Sequence, residues 1–129
     1  MPDNKTKILL IEDEEMLANM YEVKFKNEGF DIVKALDGAE GLEKAKTIKP
    51  DFILLDIIMP KMDGFSVLKA LKEDDVTKDV PVMLLTNLGQ DEDIERGKVL
   101  GSVGYLVKAN ITPSEVVDAV KTEISKLSK

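Results

Sequence analysis

Five short apolar runs alternate along the chain with longer segments of helical periodicity, and this alternation restricts the possible folds more than any other feature. The runs are KILLI (7–11), DIVKA (31–35), DFILLD (51–56), VPVMLLT (80–86) and GYLVK (104–108). Short apolar runs bounded by turn residues are typical of strands, whereas apolar residues that recur every three or four positions are typical of helices. The sequence therefore predicts five strands and five helices in alternation.

The segments between the runs carry the apolar spacing of amphipathic helices. Their apolar residues are Leu17, Tyr21 and Phe25 in the first, before Gly29; Ala39, Leu42, Ala45 and Ile48 in the second, before Pro50; and Phe65, Leu68 and Leu71 in the third. The fourth, QDEDIERGKVLG (90–101), has few apolar positions. It also contains Gly97, which costs on the order of 1 kcal/mol relative to Ala inside a helix. We therefore expect the fourth helix to be the least stable.

The fifth helix has the most complete set of boundary signals. Thr112 is in the N-cap position, Pro113 in the first helical position, and Glu115 completes a capping box. The residues that follow on one face are Val117, Val120, Ile124 and Leu127.

The strand sequences indicate a parallel sheet. ILLI, FILL and VMLL are continuously apolar, as strands need to be when helices cover both faces of a sheet. DIVKA alternates, and its Lys34 favours an edge position. Right-handed crossovers then favour a doubly wound α/β sheet of order 2-1-3-4-5. A length of 129 residues favours one domain over residues 1–129.

The composition excludes several functional classes. The chain has no Cys and no His, which rules out thiolate and imidazole metal sites, His-dependent triads and a phosphohistidine on this chain. The net charge of -7 argues against direct nucleic-acid binding. No apolar run approaches the roughly 20 residues that span a bilayer, and the polar start MPDNKTK does not resemble a signal peptide. We therefore expect a cytoplasmic protein that does not insert into membranes.

Polar side chains stand at the carboxyl ends of the predicted strands. These residues are Glu12 and Asp13 after the first strand, Asp56 after the third, Thr86 after the fourth and Lys108 after the fifth, whereas the edge strand ends in Ala35. Ligands of open parallel sheets bind beyond these ends, where the strand order reverses. In the order 2-1-3-4-5 the reversal lies between the first and third strands. Glu12, Asp13 and Asp56 should therefore meet in one crevice.

Three carboxylates in one crevice require compensation, because each close pair repels by about 4 kcal/mol at about 4 Å and an effective dielectric constant near 20. A raised carboxyl pKa or a hard cation such as Mg²⁺ would supply it. With the ammonium of Lys108 and the hydroxyl of Thr86, the set suits phosphoryl transfer to Asp56. Taken singly, each residue also has an ordinary interpretation: Asp13 as a helix N-cap, Asp56 as a turn residue, Thr86 as a backbone-bonded hydroxyl and Lys108 as a solvated cation.

The combined motifs resemble the receiver domain of two-component response regulators over essentially the whole chain. They are Glu12-Asp13, LLDIIMPKMDG, Thr86 and Tyr105-Leu106-Val107-Lys108. The resemblance implies a flavodoxin-like (βα)5 fold and a chemotaxis-type, single-domain receiver. Such a protein catalyses only its own phosphorylation chemistry and is not a metabolic enzyme.

The resemblance also implies specific roles at the site. Asp56 would accept a phosphoryl group from the phosphohistidine of a histidine kinase or phosphotransfer protein. Asp13, Asp56 and the backbone carbonyl of Ile58 would bind Mg²⁺, with Glu12 acting through water. Lys108 would hold the phosphoryl oxygens.

The resemblance also implies a role in switching for two further residues. Thr86 would move to bond a phosphoryl oxygen, and Tyr105 would then turn inward. This rearranges the surface formed by the fourth helix, the fifth strand and the fifth helix, which binds a downstream protein target. The protein is expected to be a monomer or a weak dimer.

Three positions depart from the family pattern. Ala109 stands where a proline usually follows the lysine, often after a cis peptide bond, so the aim of Lys108 depends on the geometry of the Lys108-Ala109 bond. Asn87 stands where a small residue is usual and would narrow access or bond the phosphoryl group. Ile58 is apolar at a position that influences attacking water.

Three alternatives stay open at this stage. The first is a constitutive adaptor that keeps the fold without switching, and the second is a receiver that is part of a longer regulator. The third is a metal-dependent phosphatase. It is disfavoured because Asp56 is followed by Ile57 and Ile58, which leaves no general acid two residues on.

Overall fold

The apolar runs form the strands of one sheet, and the structure, a computed structural model, describes residues 5–59, 61–87 and 90–127. The strands are β1 (Lys7–Ile11), β2 (Asp31–Ala35), β3 (Phe52–Leu55), β4 (Val82–Thr86) and β5 (Gly104–Val107). The helices are α1 (Glu15–Asn27), α2 (Gly38–Ile48), α3 (Gly64–Glu73), α4 (Asp91–Val99) and α5 (Pro113–Leu127). Residues 1–4, 60, 88, 89, 128 and 129 and the side chain of Leu127 lie outside the described part, so the N-terminal segment MPDN and Pro60 of the quoted motif are not described.

Three strands are shorter than predicted. Asp51 precedes β3 and its carboxylate accepts a hydrogen bond of 2.8 Å from the backbone N–H of Lys7, while Asp56 lies one residue beyond the strand. Pro81 precedes β4, since proline has no N–H for the ladder. Lys108 starts a short 3₁₀ turn after β5 instead of extending the strand.

The sheet is entirely parallel and has the order β2-β1-β3-β4-β5, which confirms the predicted doubly wound topology. Every residue of β3 and β4 is buried, as the continuous apolar runs require. The edge position of DIVKA is also confirmed, and Lys34 is half-buried there with its ammonium 3.1 Å from Glu22.

Two apolar layers cover the sheet. On one face, Leu9 and Ile11 of β1 belong to a core layer with residues of α2 and α3, and Leu100 and Tyr105 pack against that layer. On the other face, Ile8 and Leu10 belong to a layer with residues of α1 and α5. Because β1 and β3 are held from both sides, the polar groups at their ends stand on a rigid base.

The helix boundaries follow from local hydrogen bonds. The carboxylates of Asp37 and Asp63 cap α2 and α3 by accepting from backbone N–H groups at 2.8 and 3.0 Å. The capping box of α5 is confirmed by reciprocal bonds between Thr112 and Glu115 at 2.8 and 3.2 Å. In α4 the buried residue is Gly97, and Val99 is 74% exposed, so this helix contributes little apolar burial.

Among the described residues, no helix combines the length and the apolarity that crossing a bilayer requires.

Candidate functional site

Three acidic side chains meet at the carboxyl ends of β1 and β3. Ligand oxygens of Glu12, Asp13 and Asp56 lie within 4.8 Å of one another. Glu12 and Asp56 are buried, with 0% and 5% of their surface exposed, and Asp13 is half-buried. The predicted convergence of these three residues is therefore confirmed, since parallel pairing aligns Ile11 with Leu55 directly before them.

Lys108 reaches the same cluster from the end of β5. Its ammonium lies 2.5 Å from Oε1 of Glu12 and 2.9 Å from Oδ2 of Asp56, and its side chain is 9% exposed. No peptide bond within the described residues is cis, so the Lys108-Ala109 bond is trans and the lysine still points at the acids. The interpretation of Lys108 as a solvated cation is wrong.

Asp13 does not cap α1. The N-cap position is Glu14, which makes no capping side-chain bond, and the carboxylate of Asp13 forms no hydrogen bond or ion pair with the described residues. The acid is therefore available to a ligand at the mouth of the crevice. The interpretation of Asp13 as an N-cap is wrong.

Backbone N–H groups hold the two buried carboxylates in place. Oδ1 of Asp56 accepts from the N–H of Ile58 at 3.1 Å, and Oε2 of Glu12 accepts from the N–H of Glu14 at 3.1 Å. Each buried carboxylate therefore accepts one hydrogen bond from a backbone N–H and one from the ammonium of Lys108. This arrangement leaves both side chains with little freedom to turn.

Burial dominates the electrostatics of the cluster. It raises the pKa of Glu12 to about 7, and the charge of Asp56 adds to the rise, while the hydrogen bond from Lys108 opposes it. Burial alone would lower the pKa of Lys108, but its hydrogen bonds to Glu12 and Asp56 outweigh that effect and raise it. Lys108 is therefore a permanent cation at neutral pH.

The cluster opens into a cavity of about 190 Å³. Its walls are Asp13, Glu14, Asp56, Ile58, Asn87 and Lys108. A water occupies about 30 Å³ in the liquid, so a phosphoryl-sized group and several waters fit here. The side chain of Ile58 is 52% exposed and gives the cavity an apolar edge.

Of the two residues for which the resemblance implies a switching role, Thr86 adjoins this cavity and Tyr105 lies on the neighbouring strand. Thr86 is fully buried at the end of β4, directly before Asn87 of the cavity wall. Tyr105 is half-buried on β5 and faces α4, where a Cβ at Gly97 would lie 3.5 Å from its ring. Burial raises the pKa of Tyr105 to about 12, and the charges of Asp93 and Asp56 contribute.

Two functional positions were missed from the sequence. Glu14 has no predicted role, yet it lines the cavity and its N–H orients Glu12. Gly64, the last residue of the LLDIIMPKMDG motif, has no predicted role, but a Cβ there would lie 2.3 Å from the carbonyl oxygen of Asp56. Its position in MPKMDG, eight residues after the acid, was the available signal.

The donor set suits a hard divalent cation. Mg²⁺ prefers oxygen ligands at about 2.0–2.1 Å, so opposite ligands of one ion are about 4.2 Å apart. The carboxylate oxygens of Glu12, Asp13 and Asp56 have nearly this spread, 4.8 Å at most. Small side-chain adjustments, or one ligand acting through water, would complete such a site.

Comparisons with known proteins agree with this geometry. Residues 8–121 match the family described as the response regulator receiver domain. The chain is 38% identical over 102 residues to the DNA-binding dual master transcriptional regulator RpaA of Synechocystis, covering 79% of this chain and 42% of that protein. It is 37% identical over 115 residues to the alkaline phosphatase synthesis transcriptional regulatory protein PhoP of Bacillus subtilis, covering 89% and 47%.

Among solved structures, the chemotaxis protein CheY4 of Vibrio cholerae is similar with a TM-score of 0.86 and 30% identity, covering 92% of this chain and 98% of that one. The chain spans about half the length of the curated relatives it matches, with shares of 42% to 51% for the first six.

Proposed function

Because the chain belongs to the response regulator receiver domain family, we propose that it is a phosphorylation-controlled signalling switch whose phosphoacceptor is Asp56. One observation carries this proposal: the carboxylate of Asp56 lies at the wall of a small polar cavity, 2.9 Å from the ammonium of Lys108 and beside two further acids. A nucleophile, a fixed cation and a set of metal-binding oxygens are the parts that phosphoryl transfer requires.

The proposed reaction transfers a phosphoryl group from the phosphohistidine of a histidine kinase or phosphotransfer protein. A carboxylate oxygen of Asp56 attacks phosphorus, the P–N bond breaks, and its electron pair stays on the imidazole nitrogen of the donor. Lys108 then exchanges its contact with Asp56 for a phosphoryl oxygen. The hydrogen bond from the N–H of Ile58 keeps the carboxylate oriented during this exchange.

Mg²⁺ is the proposed cofactor, and it would supply positive charge that offsets the charge of the phosphoryl oxygens. Asp13 and Asp56 would hold it with the backbone carbonyl of Ile58, and Glu12 would act through water. The free carboxylate of Asp13 supports this assignment, because it is the one acid of the cluster that Lys108 does not engage.

The proposed response runs through Thr86 and Tyr105 to the surface formed by α4, β5 and α5. Thr86 would bond a phosphoryl oxygen and Tyr105 would turn inward, which changes the affinity of that surface for a downstream protein target. The small apolar burial of α4 supports this choice, since an element that moves must be weakly held. The named relatives are transcriptional regulators about twice as long as this chain, and a net charge of -7 favours protein contacts as the output here.

Phosphorylation by acetyl phosphate tests the chemistry. Protein incubated with acetyl phosphate and Mg²⁺ should gain one phosphoryl group by intact mass spectrometry, and EDTA should abolish the gain. Asp56→Asn should gain none. Asp51→Asn is the matched control, because Asp51 lies at the opposite end of β3 with its carboxylate on the backbone of Lys7. An adduct of equal amount on Asp56→Asn would overturn the proposal.

Amide chemical shifts separate a switch from a constitutive adaptor. Phosphorylation should shift the NMR signals of α4 and of Tyr105 on β5, whereas an adaptor that does not switch would show shifts only in the residues around the cavity that contains Asp56. In the second outcome the phosphoacceptor assignment would stand and the proposed response would not.

A further inference from the structure

A second cavity lies between α3 and α4, apart from the phosphoacceptor site. Its volume is about 480 Å³. The residues that line it are Phe65, Ser66, Lys69, Arg96, Val99 and Leu100. Cavities of roughly 300 to 1,000 Å³ with apolar walls and a few polar groups are typical of small-ligand sites.

Apolar side chains form much of this cavity, which we call the α3–α4 groove. Phe65 is buried, Leu100 is half-buried and Val99 is 74% exposed at the edge. The guanidinium carbon of Arg96 lies 4.3 Å from the centroid of the Phe65 ring, in a cation–π contact. Arg96 is the single arginine of the chain. Its side chain is exposed, so a ligand can reach the guanidinium from solvent.

The charge of the groove is opposite to that of the whole protein. Lys69 and Arg96 both line it, and no carboxylate of the described residues does. Neither cation forms an ion pair with a carboxylate of the described residues. In a chain of net charge -7, two unpaired cations over an apolar floor form a site that is complementary to an anion with an apolar body.

We propose that the groove between α3 and α4 binds a small aromatic carboxylate. The ring packs against Val99 and Leu100 and stacks on the exposed guanidinium of Arg96, while the carboxylate pairs with Lys69. Each helix lines the groove over only five residues, 65–69 and 96–100, which is about 7 Å of helix. This length suits one or two fused rings and is too short to seat a partner helix.

The probe is 2-naphthoate, and the matched neutral probe is 2-naphthamide, which has the same shape without the charge. In ¹H–¹⁵N NMR titrations of the whole chain, 2-naphthoate should shift amides in 65–69 and 96–100 along a saturable curve. The amide should bind about threefold to fivefold more weakly, the upper part of the range for a partly exposed ion pair. Equal affinity for the two probes would overturn the proposal, as would shifts centred elsewhere.

Variants at exposed positions separate the contributions of charge and of stacking to probe binding, and they leave the buried core unchanged. Lys69→Gln should weaken 2-naphthoate binding about threefold to fivefold and leave 2-naphthamide binding unchanged. Arg96→Lys keeps the charge but removes the planar guanidinium surface, so it should weaken the binding of both probes. Lys98→Gln is the control, since Lys98 is exposed on the same helix and does not line the groove. A loss with Lys98→Gln as large as with Lys69→Gln would show general charge attraction and refute a built site.

Discussion

Replacing Lys108 with methionine removes the ammonium that joins Glu12 and Asp56 and keeps an unbranched side chain in its place. The two carboxylates are 0% and 5% exposed, so the ammonium of Lys108 is the main charge that compensates them. At 2.9 Å, the attraction of the ammonium for one carboxylate is about 6 kcal/mol at an effective dielectric constant near 20, before the desolvation of the lysine is subtracted.

The net loss is smaller than this gross attraction. Removing one partner of a buried ion pair typically costs about 3–5 kcal/mol, because the other charge is left uncompensated. Glu12 limits the cost, since burial has already raised its pKa to about 7 and it can take up a proton instead of staying charged. We therefore expect Lys108→Met to lower the free energy of unfolding by about 3 kcal/mol at neutral pH.

Urea unfolding followed by circular dichroism measures this change, with EDTA present so that no metal replaces the lysine. Lys121→Met is the control, since Lys121 pairs with Glu28 at 2.7 Å on the surface and such pairs contribute about 0–1 kcal/mol. The double variant Lys108→Met/Glu12→Gln should recover part of the loss, because it removes one of the stranded acids. A loss for Lys108→Met no larger than for Lys121→Met would refute the reasoning.

Four further outcomes are expected. Gly64→Ala should cost more than about 2 kcal/mol in urea unfolding, because its Cβ would lie 2.3 Å from the backbone oxygen of Asp56 and no flexible side chain can move aside. Asp63→Ala should cost about 1 kcal/mol by removing the N-cap of α3, and Asp63→Asn much less. Amides of α4 should exchange hydrogen faster than those of α5 by mass spectrometry, in keeping with its small apolar burial. Burial raises the pKa of the Tyr105 hydroxyl to about 12, so as the pH rises the unfolded chain loses the hydroxyl proton before the folded protein does. The free energy of unfolding should therefore fall from about pH 10 upward. Tyr105→Phe should reduce this fall, measured as thermal melts over a range of pH.

The fold and the main site could be predicted because both depend on local patterns. Continuous apolar runs such as FILL specify strands buried on both faces, and right-handed crossovers then leave few topologies. The same topology brings Glu12, Asp13 and Asp56 together, since residues that follow paired parallel strands must be neighbours.

Contacts between distant segments could not be predicted in this way. The strand-end position of Lys108 predicts that it belongs to the site, but it does not show that the ammonium bridges Glu12 and Asp56, which are 96 and 52 residues away. The groove that contains Lys69 and Arg96 exists only because α4 packs beside α3. In the sequence of its own helix, each of these two residues is typical of a solvent-exposed polar face.

At the carboxyl edge of the sheet, the packing of the strands opposes the electrostatic repulsion between the acidic side chains. The strands beneath are fully buried, so they can hold Asp56 and Glu12 close together despite their repulsion, and Lys108 compensates that repulsion in the protein alone. A cation bound to the acids would relieve the same repulsion and would free the ammonium for an incoming anion. Under the proposed function this edge would respond to ligands of both signs, and α4, with Gly97 as its buried residue, would be a neighbouring element that moves at a small cost in apolar contact.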